Sequence, residues 1–547
     1  MSISSIARYL WAQWKYVFLI NLLLVVIISA PYLYGYLQTP PGETYTGLHA
    51  LTPGDFNVYY TQMLQAGRGD MAERNLFAGI DGVGSISMVN AFWYCLGVIA
   101  HAAGMSTPLA FHLARLALIP LLVFVLYQLL KILVPFRAFY AAGALTFLGS
   151  GIGYLALPFL KSPPLVGRYD WPLDLWVPES NTFLTLYHSP HLLASLILFL
   201  FVLLSFLRAS TSLKPFWWQV SGGLAAAALF HFHPFHAVTL GSILLVWTVI
   251  MGRISWRRSC VTLAVMSGIS LPSIAWQLMR LRSDWITQEW AMQNVTATPA
   301  LWAVLLGYGL LIPFALAGGI WYARVRDKGS ESPSLHPRAV WFLGAWIAVQ
   351  CALIGSPLPF QRRLFEGLHV PLAMLAGIGV VIIFNAGLWK NTSRIIRSMT
   401  QVACGILLTF STVGTISRDV SLYSSRFQLF YLSAAQKNVY RILMQSPLEG
   451  IVLAPVDQAS FIPAWTGRAV YGGSGAHSPD EALRRRLTDW FLTGQGSQEE
   501  RMQFIRREDI TDVVVMSSDD RDIITLSSDP LLRTVFIDRG IGLFSMR

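Results

Sequence analysis

Long apolar runs dominate the pattern of hydrophobic and polar positions along the chain. Residues 192–207, LLASLILFLFVLLSFL, are typical, because fourteen of the sixteen are apolar and the other two are serines. A helix of this kind, at roughly 16 to 24 residues, is long enough to cross a hydrocarbon core of about 30 Å. The pattern predicts about eleven transmembrane helices, near residues 16–37, 108–130, 139–160, 190–207, 217–232, 236–252, 260–280, 299–322, 339–356, 368–388 and 398–416.

From residue 417 onward the pattern becomes that of a soluble domain. GIVLAPV, ITDVVVMSS and the final TVFIDRGIGLFSM are short and rich in β-branched residues, which favours strands. SPDEALRRRLTDWFLTG and SQEERMQFIRRED show the apolar spacing of amphipathic helices. The fold class predicted is therefore a multi-span α-helical membrane domain, residues 1–416 with long loops at 38–107 and 161–189, followed by a small α/β domain, residues 417–547.

Composition agrees with a membrane location. The chain is 54% hydrophobic and 13% charged, with a mean hydropathy of +0.51, whereas a soluble surface needs more charge. The first apolar run has no clear cleavage site after it and is expected to remain as a helix. The four cysteines lie at wide spacing within or beside apolar runs, which offers neither a metal knuckle nor a disulfide framework.

Lysine and arginine predict the orientation, because short loops that carry them stay on the cytoplasmic side. With the N-terminus inside, the predicted cytoplasmic segments hold 16 Lys or Arg in 60 residues, and the predicted outer loops hold 7 in 131. This assignment requires the apolar segment 88–105 to lie at the outer interface rather than to span. The prediction is a multi-pass protein of the plasma (inner) membrane with an extracytoplasmic C-terminal domain.

The net charge of +11 reflects this topology rather than a nucleic-acid surface. The chain from residue 417 has 15 basic and 16 acidic residues, so the excess lies in the membrane part. Binding of nucleic acid is not expected.

Asp55 is the first candidate for chemistry. It lies in the first outer loop, in the stretch PGDFNVYY, soon after the first predicted span. A carboxylate partly desolvated by aromatic rings can take a proton from a hydroxyl group, or hold a metal beside a phosphate. An N-cap formed by Pro53-Gly54-Asp55 is the structural alternative, and the two roles can coexist.

A pair of arginines is the second candidate. Arg362 and Arg363, in PFQRRLFEGLHVPLA, lie at the predicted outer boundary against the usual charge bias, and Glu366 and His369 follow them. Guanidinium groups match phosphate oxygens and stay charged, so the pair predicts a clamp for a lipid phosphate. Pairing with a nearby acid or with lipid headgroups is the alternative.

Histidines and a cation near or within the membrane complete the candidates. HFHPFH, residues 231–236, offers His231, His233 and His236 at a predicted outer turn, where metal binding, a plain interfacial turn around Pro234 and hydrogen bonds to a phosphate are all open. Arg115 lies early in the second span, where a charge is a functional candidate. The second outer loop adds acids and histidines among aromatic rings on which a sugar can stack, namely Asp170, Asp174, Glu179, His188 and His191.

These features together resemble the GT-C membrane glycosyltransferases, in particular bacterial members with a short soluble tail. The resemblance lies in GDFNVYY after a first helix, a juxtamembrane helix, Arg115 opening the second helix, RRLFEGLHVPLAML, and TGRAVYGG in the final domain. It implies inverting transfer, on the extracytoplasmic side, of a sugar from a polyprenyl-phosphate donor to an acceptor hydroxyl on a glycan, lipid or protein. By carry-over, Asp55 is the catalytic base and Arg362 or Arg363 binds the donor phosphate.

Further roles follow from the loop positions and from the resemblance. Arg115 is expected to help bind the donor phosphate. The residues expected to contact substrate are Glu179, His188, His191, His233, His236, Glu366 and His369. Some family members pair two acids in the first loop, whereas Asp55 is flanked by Gly54 and Phe56. A second acid from Glu179 or Asp174, a divalent metal as cofactor, and chemistry without any metal therefore all remain open.

Two other functional classes share these features. A transporter or flippase for a lipid-linked sugar would use the same helices, although the sequence shows no clear internal repeat and its acids cluster in loops. An oligosaccharide ligase or oligosaccharyltransferase shares the donor chemistry but transfers a preassembled glycan.

Overall fold

The computed structural model describes residues 3–80, 87–88, 90–160, 171–327, 338–386, 389, 391–516 and 520–547. Parts of two predicted loops, 161–170 with Asp170 and 328–337, lie outside the described residues. Contacts divide the chain into two compact units. The first unit is Met1–Tyr34, His112–Gln277 and Thr296–Ser421, and the second unit is Gly35–Phe111, Leu278–Val295 and Leu422–Arg547. The predicted division into 1–416 and 417–547 stays a prediction.

The described part of the chain is mostly helical. Up to residue 327 its helices are α1 (Ile3–Leu37), α2 (Pro53–Gly67), α3 (Ala91–Ala102), α4 (Thr107–Leu133), α5 (Phe139–Leu148), α6 (Thr182–His188), α7 (Pro190–Thr211), α8 (Pro215–Phe232), α9 (His236–Ser283), α10 (Trp285–Gln293), α11 (Leu301–Tyr308) and α12 (Leu311–Asp327). From residue 338 they are α13 (Ala339–Ile354), α14 (His369–Asn385), α15 (Arg394–Leu408), α16 (Phe410–Ser424), α17 (Ala434–Gln445), α18 (Val456–Ala459), α19 (Phe461–Thr466), α20 (Glu481–Leu492), α21 (Gln498–Arg507) and α22 (Asp520–Ser527).

The apolar helices make this an integral membrane protein. Within the described residues, 6 helices are long and apolar enough to cross a membrane, or 8 if each of two bent pairs counts as one span. The bends are 71° between α11 and α12 and 58° between α15 and α16. The predicted count of about eleven spans is not confirmed, since length and composition alone do not show which shorter helices cross.

One predicted loop is wrong. The predicted spans 236–252 and 260–280 require a loop at RISWRR, residues 253–258, but the backbone of α9 runs as helix from His236 to Ser283. Arginine is a good helix former, and the single Gly252 costs only about 1 kcal/mol in a helix. The basic residues of this segment therefore interrupt the apolar run without ending the helix.

Helix α3 agrees with the expectation that segment 88–105 does not span. It has 12 residues. At 1.5 Å per residue such a helix is about 18 Å long, which is too short for a hydrocarbon core of about 30 Å.

Small residues bring two helices of the first unit close together. Helices α12 and α14 pack against each other along Gly318 and Gly379. A Cβ atom on Gly318 would lie 2.0 Å from the carbonyl oxygen of Leu375, and one on Gly379 would lie 2.0 Å from that of Phe314. Such close approach is typical of membrane helix interfaces. It fixes the position of α14 against α12, and α14 begins at His369, shortly after the turn that carries the paired arginines.

The second unit contains a five-stranded sheet. Its strands, in spatial order, are Ala469–Val470, Ile451–Leu453, Ile510–Met516, Ile541–Met546 and Leu532–Asp538. The first three run parallel, and the last two form an antiparallel hairpin whose register pairs Asp538 with Ile541. Arg539 and Gly540 form its two-residue turn with φ values of 44° and 78°, as a type I′ turn requires.

The predicted elements of the tail are confirmed. The three apolar stretches form strands, and the two amphipathic stretches form α20 and α21. Apolar side chains from these elements, including Leu453, Phe491, Phe504 and Val513, are buried in one core. In the same unit α2 packs on α3 and α19, where a Cβ atom on Gly97 would lie 2.3 Å from the carbonyl oxygen of Met63.

Candidate functional site

The paired arginines lie on aromatic faces in a short 3-10 turn, Gln361–Phe365, of the first unit. The guanidinium carbon of Arg362 lies 4.8 Å from the centre of the Trp176 ring, and that of Arg363 lies 5.3 Å from that of Phe235. Both arginines are half-buried. Among the described residues, neither forms an ion pair with a carboxylate. The alternative of a structural ion pair therefore finds no partner in the described part of the chain.

Two of the predicted histidines meet the predicted acid of the same turn. His236 Nε2 lies 2.9 Å from Glu366 Oε2, and His233 Nδ1 lies 3.8 Å from the same oxygen. All three side chains are buried. His233 Nδ1 also lies 2.9 Å from Ser195 Oγ, in α7. The fold thus joins the turn between α8 and α9 to the turn before α14, and we call His233, His236 and Glu366 the His–Glu cluster.

A buried amide holds the Glu366 turn in place. Gln350 Nε2 donates to the carbonyl oxygens of Leu364 and Glu366 at 2.8 and 2.9 Å. The indole of Trp346 donates to Gln350 Oε1 at 2.6 Å, which orients the amide. Gln350 was not singled out in the sequence, because a lone glutamine in an apolar run carries no motif.

The neighbouring histidines are kept neutral. The rings of His191 and His233 lie 5.3 Å apart in an edge arrangement. Burial lowers the pKa of His233 well below its ordinary value, and positive charge at His191, His236 and Arg363 would lower it further. Burial likewise lowers the pKa of His188 to about 3, with the charge of Arg115 adding to the effect. Neutral imidazoles can accept hydrogen bonds or bind metal ions.

Arg115 lies in a cage of aromatic rings and carbonyl groups. It is 1% exposed. Its Nη1 donates to the carbonyl oxygens of Tyr187 and Leu186 at 2.8 and 3.4 Å. Its guanidinium lies 4.3 Å from the centre of the Tyr32 ring. These contacts give Arg115 a positioning role in the loop that ends at His188, and its binding to a donor phosphate stays a prediction.

Replacing Arg115 by lysine is expected to lower the free energy of unfolding by about 1 to 3 kcal/mol. Lysine keeps the charge but loses the planar fork and the ring contact. The thermal midpoint of the detergent-purified protein measures this. Arg208→Lys is the matched control, because the guanidinium of Arg208 donates a part-buried hydrogen bond, at 3.2 Å to Gln128 Oε1. Equal changes in the thermal midpoint of the two variants would show that the contacts of Arg115 do not stabilise the fold more than those of Arg208.

Sequence reasoning missed a charged pair that anchors the same loop. Tyr187 donates its hydroxyl to Asp419 Oδ2 at 2.7 Å, and Arg418 Nε lies 3.5 Å from Asp419 Oδ1. Arg418 also donates to the carbonyl oxygen of Leu175 at 3.1 Å. The sequence marks this pair only by Arg418-Asp419 directly after the last predicted span, a position that also fits the start of the soluble tail.

The remaining candidates of the first unit are buried. Asp174 Oδ2 accepts a hydrogen bond from the Gly153 amide at 3.0 Å. Thr182 Oγ1 and His369 Nδ1 lie 3.1 Å apart. Glu179 is 7% exposed, and its Oε2 has no hydrogen-bond partner in the described ranges. Glu179 is therefore the better placed of the two loop acids to meet a ligand.

Asp174 makes stability depend on pH. Burial raises its pKa from 3.8 to about 7, against the opposing hydrogen bonds of the Ser411 hydroxyl and the Gly153 amide. The folded protein thus holds a proton that the unfolded chain releases near pH 4, so the free energy of unfolding falls as pH rises from about 4 to about 7. We expect Asp174→Asn to remove this dependence on pH. The fall in the free energy of unfolding that it removes is about 1.4 kcal/mol for each unit by which the pKa is raised. The thermal midpoint of the variant relative to wild type should rise between about pH 5 and pH 8.

Asp457→Asn is the control for this measurement. Hydrogen bonds from Arg485 lower the pKa of Asp457, which is exposed. The ion pair of Asp457 adds to the free energy of unfolding at pH values above the ordinary pKa near 4, and this stabilisation is lost only as pH falls below that value. Its midpoint difference should stay constant between about pH 5 and pH 8. The same constancy in Asp174→Asn would contradict the buried, protonated carboxyl.

Asp55 belongs to the second unit, whereas every other predicted site residue belongs to the first. It lies, exposed, in the first turn of α2. The N-cap residue is Thr52, with φ 44°, and Pro53 opens the helix, so the predicted capping role of Asp55 is wrong. A carboxylate in the first turn is favoured by the helix dipole instead. Phe56 and Tyr59 follow it, and Tyr59 stacks on Trp93 at 4.7 Å.

Structural comparison shows the fold. The chain is similar to the apo crystal structure of the oligosaccharyltransferase from Archaeoglobus fulgidus, with 11% identity and a TM-score of 0.50 over 90% of this chain and 69% of that one. The structure of the same enzyme tethered with an acceptor peptide containing the NVT sequon also has 11% identity and a TM-score of 0.50, over 90% of this chain and 68% of that one. ArnT from Cupriavidus metallidurans, bound to undecaprenyl phosphate, has 13% identity and a TM-score of 0.47 over 95% and 97% of the two chains.

These comparisons agree with the resemblance in the sequence. No family model and no curated protein matches the chain. At such low identity the likeness to solved structures shows the fold alone, which is that of the archaeal oligosaccharyltransferase. The predicted architecture, a helical membrane protein with a small sheet domain, is confirmed.

Proposed function

We propose that this protein is an inverting membrane glycosyltransferase that takes its sugar from a polyprenyl-phosphate donor. The observation that carries the proposal is the pair Arg362 and Arg363, two half-buried cations on aromatic faces with no carboxylate partner among the described residues. Such cations favour an anionic ligand, and planar guanidinium groups suit a phosphate. The GT-C fold, which the archaeal oligosaccharyltransferase shares, supports a transferase by analogy.

The reaction we propose needs one base and one cationic clamp. Asp55 takes the proton of the acceptor hydroxyl, and the acceptor oxygen bonds to the anomeric carbon of the sugar. The bond from that carbon to the phosphate oxygen breaks, and the polyprenyl phosphate leaves with the electron pair. Arg362 and Arg363 stabilise the charge that develops on the leaving phosphate, an electrostatic effect that is often the largest in catalysis.

Further residues have supporting roles in the proposal. Glu179 offers the sugar hydroxyls a buried carboxylate oxygen with no partner in the described ranges. Arg115 and Asp419 hold Tyr187 in place, next to His188 at the end of α6, and His191 lies in the first turn of α7. Reaction on the extracytoplasmic face follows from the predicted topology.

A transfer assay with purified protein tests the proposal. Radiolabelled sugars on synthetic polyprenyl phosphates are supplied as a panel of donors, with membrane-extracted glycan and lipid acceptors in one arm and acceptor peptides in another. Transfer to a glycan or lipid supports the proposal, and transfer of a whole glycan to peptide supports the oligosaccharyltransferase class instead. If the protein moves lipid-linked sugar between the leaflets of vesicles but transfers none, the proposal is wrong and the protein is a transporter.

A further inference from the structure

The His–Glu cluster has the spacing of a metal site. One ring nitrogen of His233, one of His236 and one carboxylate oxygen of Glu366 all lie within 4.8 Å of one another. Two of the separations are 2.9 and 3.8 Å. Ligand atoms around a tetrahedral ion with bonds of about 2.0 to 2.1 Å lie about 3.3 Å apart. Small side-chain shifts would therefore bring all three atoms to bonding distance of one ion.

The protein contacts leave part of the cluster unsatisfied. Glu366 is 1% exposed, and its Oε1 has no hydrogen-bond partner among the described residues. Buried polar atoms without partners cost free energy. An ion between the three side chains would neutralise the carboxylate in this buried position.

We propose that His233, His236 and Glu366 bind one divalent transition-metal ion, Zn²⁺ in preference to Mg²⁺. Two imidazoles and one carboxylate form a donor set that suits zinc, whereas magnesium prefers oxygen ligands and retained waters. His236 would then carry its proton on Nδ1 and bind through Nε2.

The surroundings fit such a site. Gln350 fixes the main chain on both sides of Glu366 and so orients this ligand. Ser195 Oγ lies 2.9 Å from His233 Nδ1, and its hydroxyl would turn away from that nitrogen when an ion binds there. Three protein ligands leave a fourth position open to water or to a further oxygen ligand. The site rests on these side chains and is independent of which sugar, if any, the protein transfers.

Metal content of the full-length protein tests the inference. The protein carries an affinity tag without histidine, is purified in detergent, stripped with a chelator and dialysed against Zn²⁺. Mass spectrometry of the elements is expected to find one zinc per chain above the buffer, which excess Mg²⁺ does not displace. Co²⁺ in place of Zn²⁺ is expected to show the absorption of a tetrahedral site.

Two ligand variants and one control decide the outcome. Glu366→Gln and His236→Gln are each expected to weaken zinc binding by at least roughly tenfold. His369→Gln should bind as wild type does, because His369 is equally buried but contacts Thr182 rather than the cluster. Size-exclusion profiles identify misfolded variants, and either ligand variant suffices if the other misfolds. Wild type that binds no zinc above the buffer, or folded ligand variants that bind it unchanged, would overturn the proposal.

Discussion

Asp55→Asn is expected to lower turnover by about two to four orders of magnitude while leaving the affinity for the donor unchanged. Asparagine has nearly the shape of aspartate but cannot accept the acceptor proton, and a positioned general base is worth about that much. Sugar transfer by the purified protein gives kcat, and native mass spectrometry gives binding of the polyprenyl-phosphate donor. A loss of kcat with intact binding separates a catalytic role from a structural one.

The matched control for Asp55 is Asp70→Asn. Asp70 follows the same helix, α2, at its C-terminal end and belongs to the same unit. Its replacement should leave kcat within about twofold of wild type, since surface changes away from the chemistry rarely matter more. If Asp55→Asn keeps full turnover, another group must be the base, and Glu179 is the next candidate.

Loss of the paired arginines is expected to raise the donor KM. Arg362→Ala and Arg363→Ala each remove a charge-assisted hydrogen bond worth about 1.5 to 3 kcal/mol, which corresponds to a roughly 10- to 150-fold weaker donor. If the charge on the leaving phosphate grows in the transition state, kcat falls as well. Steady-state kinetics at varied donor concentration distinguish the two effects.

Lysine variants at the same positions show what kind of contact is made. A lysine keeps the charge without the planar fork, so a partial recovery relative to alanine indicates phosphate binding rather than ring packing. Arg397→Ala is the control, because Arg397 bonds to the end of α14, at Phe384 and Asn385, and not to the arginine turn. A donor KM that is unchanged in both alanine variants would refute the clamp.

The prediction succeeded where the signal was local. Runs of apolar residues located the long helices, and alternation with β-branched residues located the strands Ile451–Leu453 and Ile510–Met516. It failed where a local signal has two explanations. The basic segment 253–258 is polar, as a loop would be, but lies within helix α9. Asp55 lies in the first turn of α2, whose N-cap residue is Thr52.

The candidate residues were largely visible in the sequence, but their partners were not. His236 and Glu366 were both singled out, each for its own motif, yet they are 130 positions apart and meet at 2.9 Å. Tyr187 and Asp419 are separated by 232 positions, and Gln350, which holds the Glu366 turn, belongs to no motif. Residue type marks a group as capable of chemistry, whereas distance decides what it does.

By itself, the sequence determined that this is a helical membrane protein with a small α/β domain, and it singled out Asp55, the paired arginines and the histidines. Hydrophobic length, alternation and residue chemistry are properties of short stretches, so they can be recognised without the fold. Only the tertiary structure decided that Arg115 is caged, that Arg362 and Arg363 lie on aromatic faces, and that His233, His236 and Glu366 share one buried site. Those facts depend on contacts between distant segments, which no local pattern encodes.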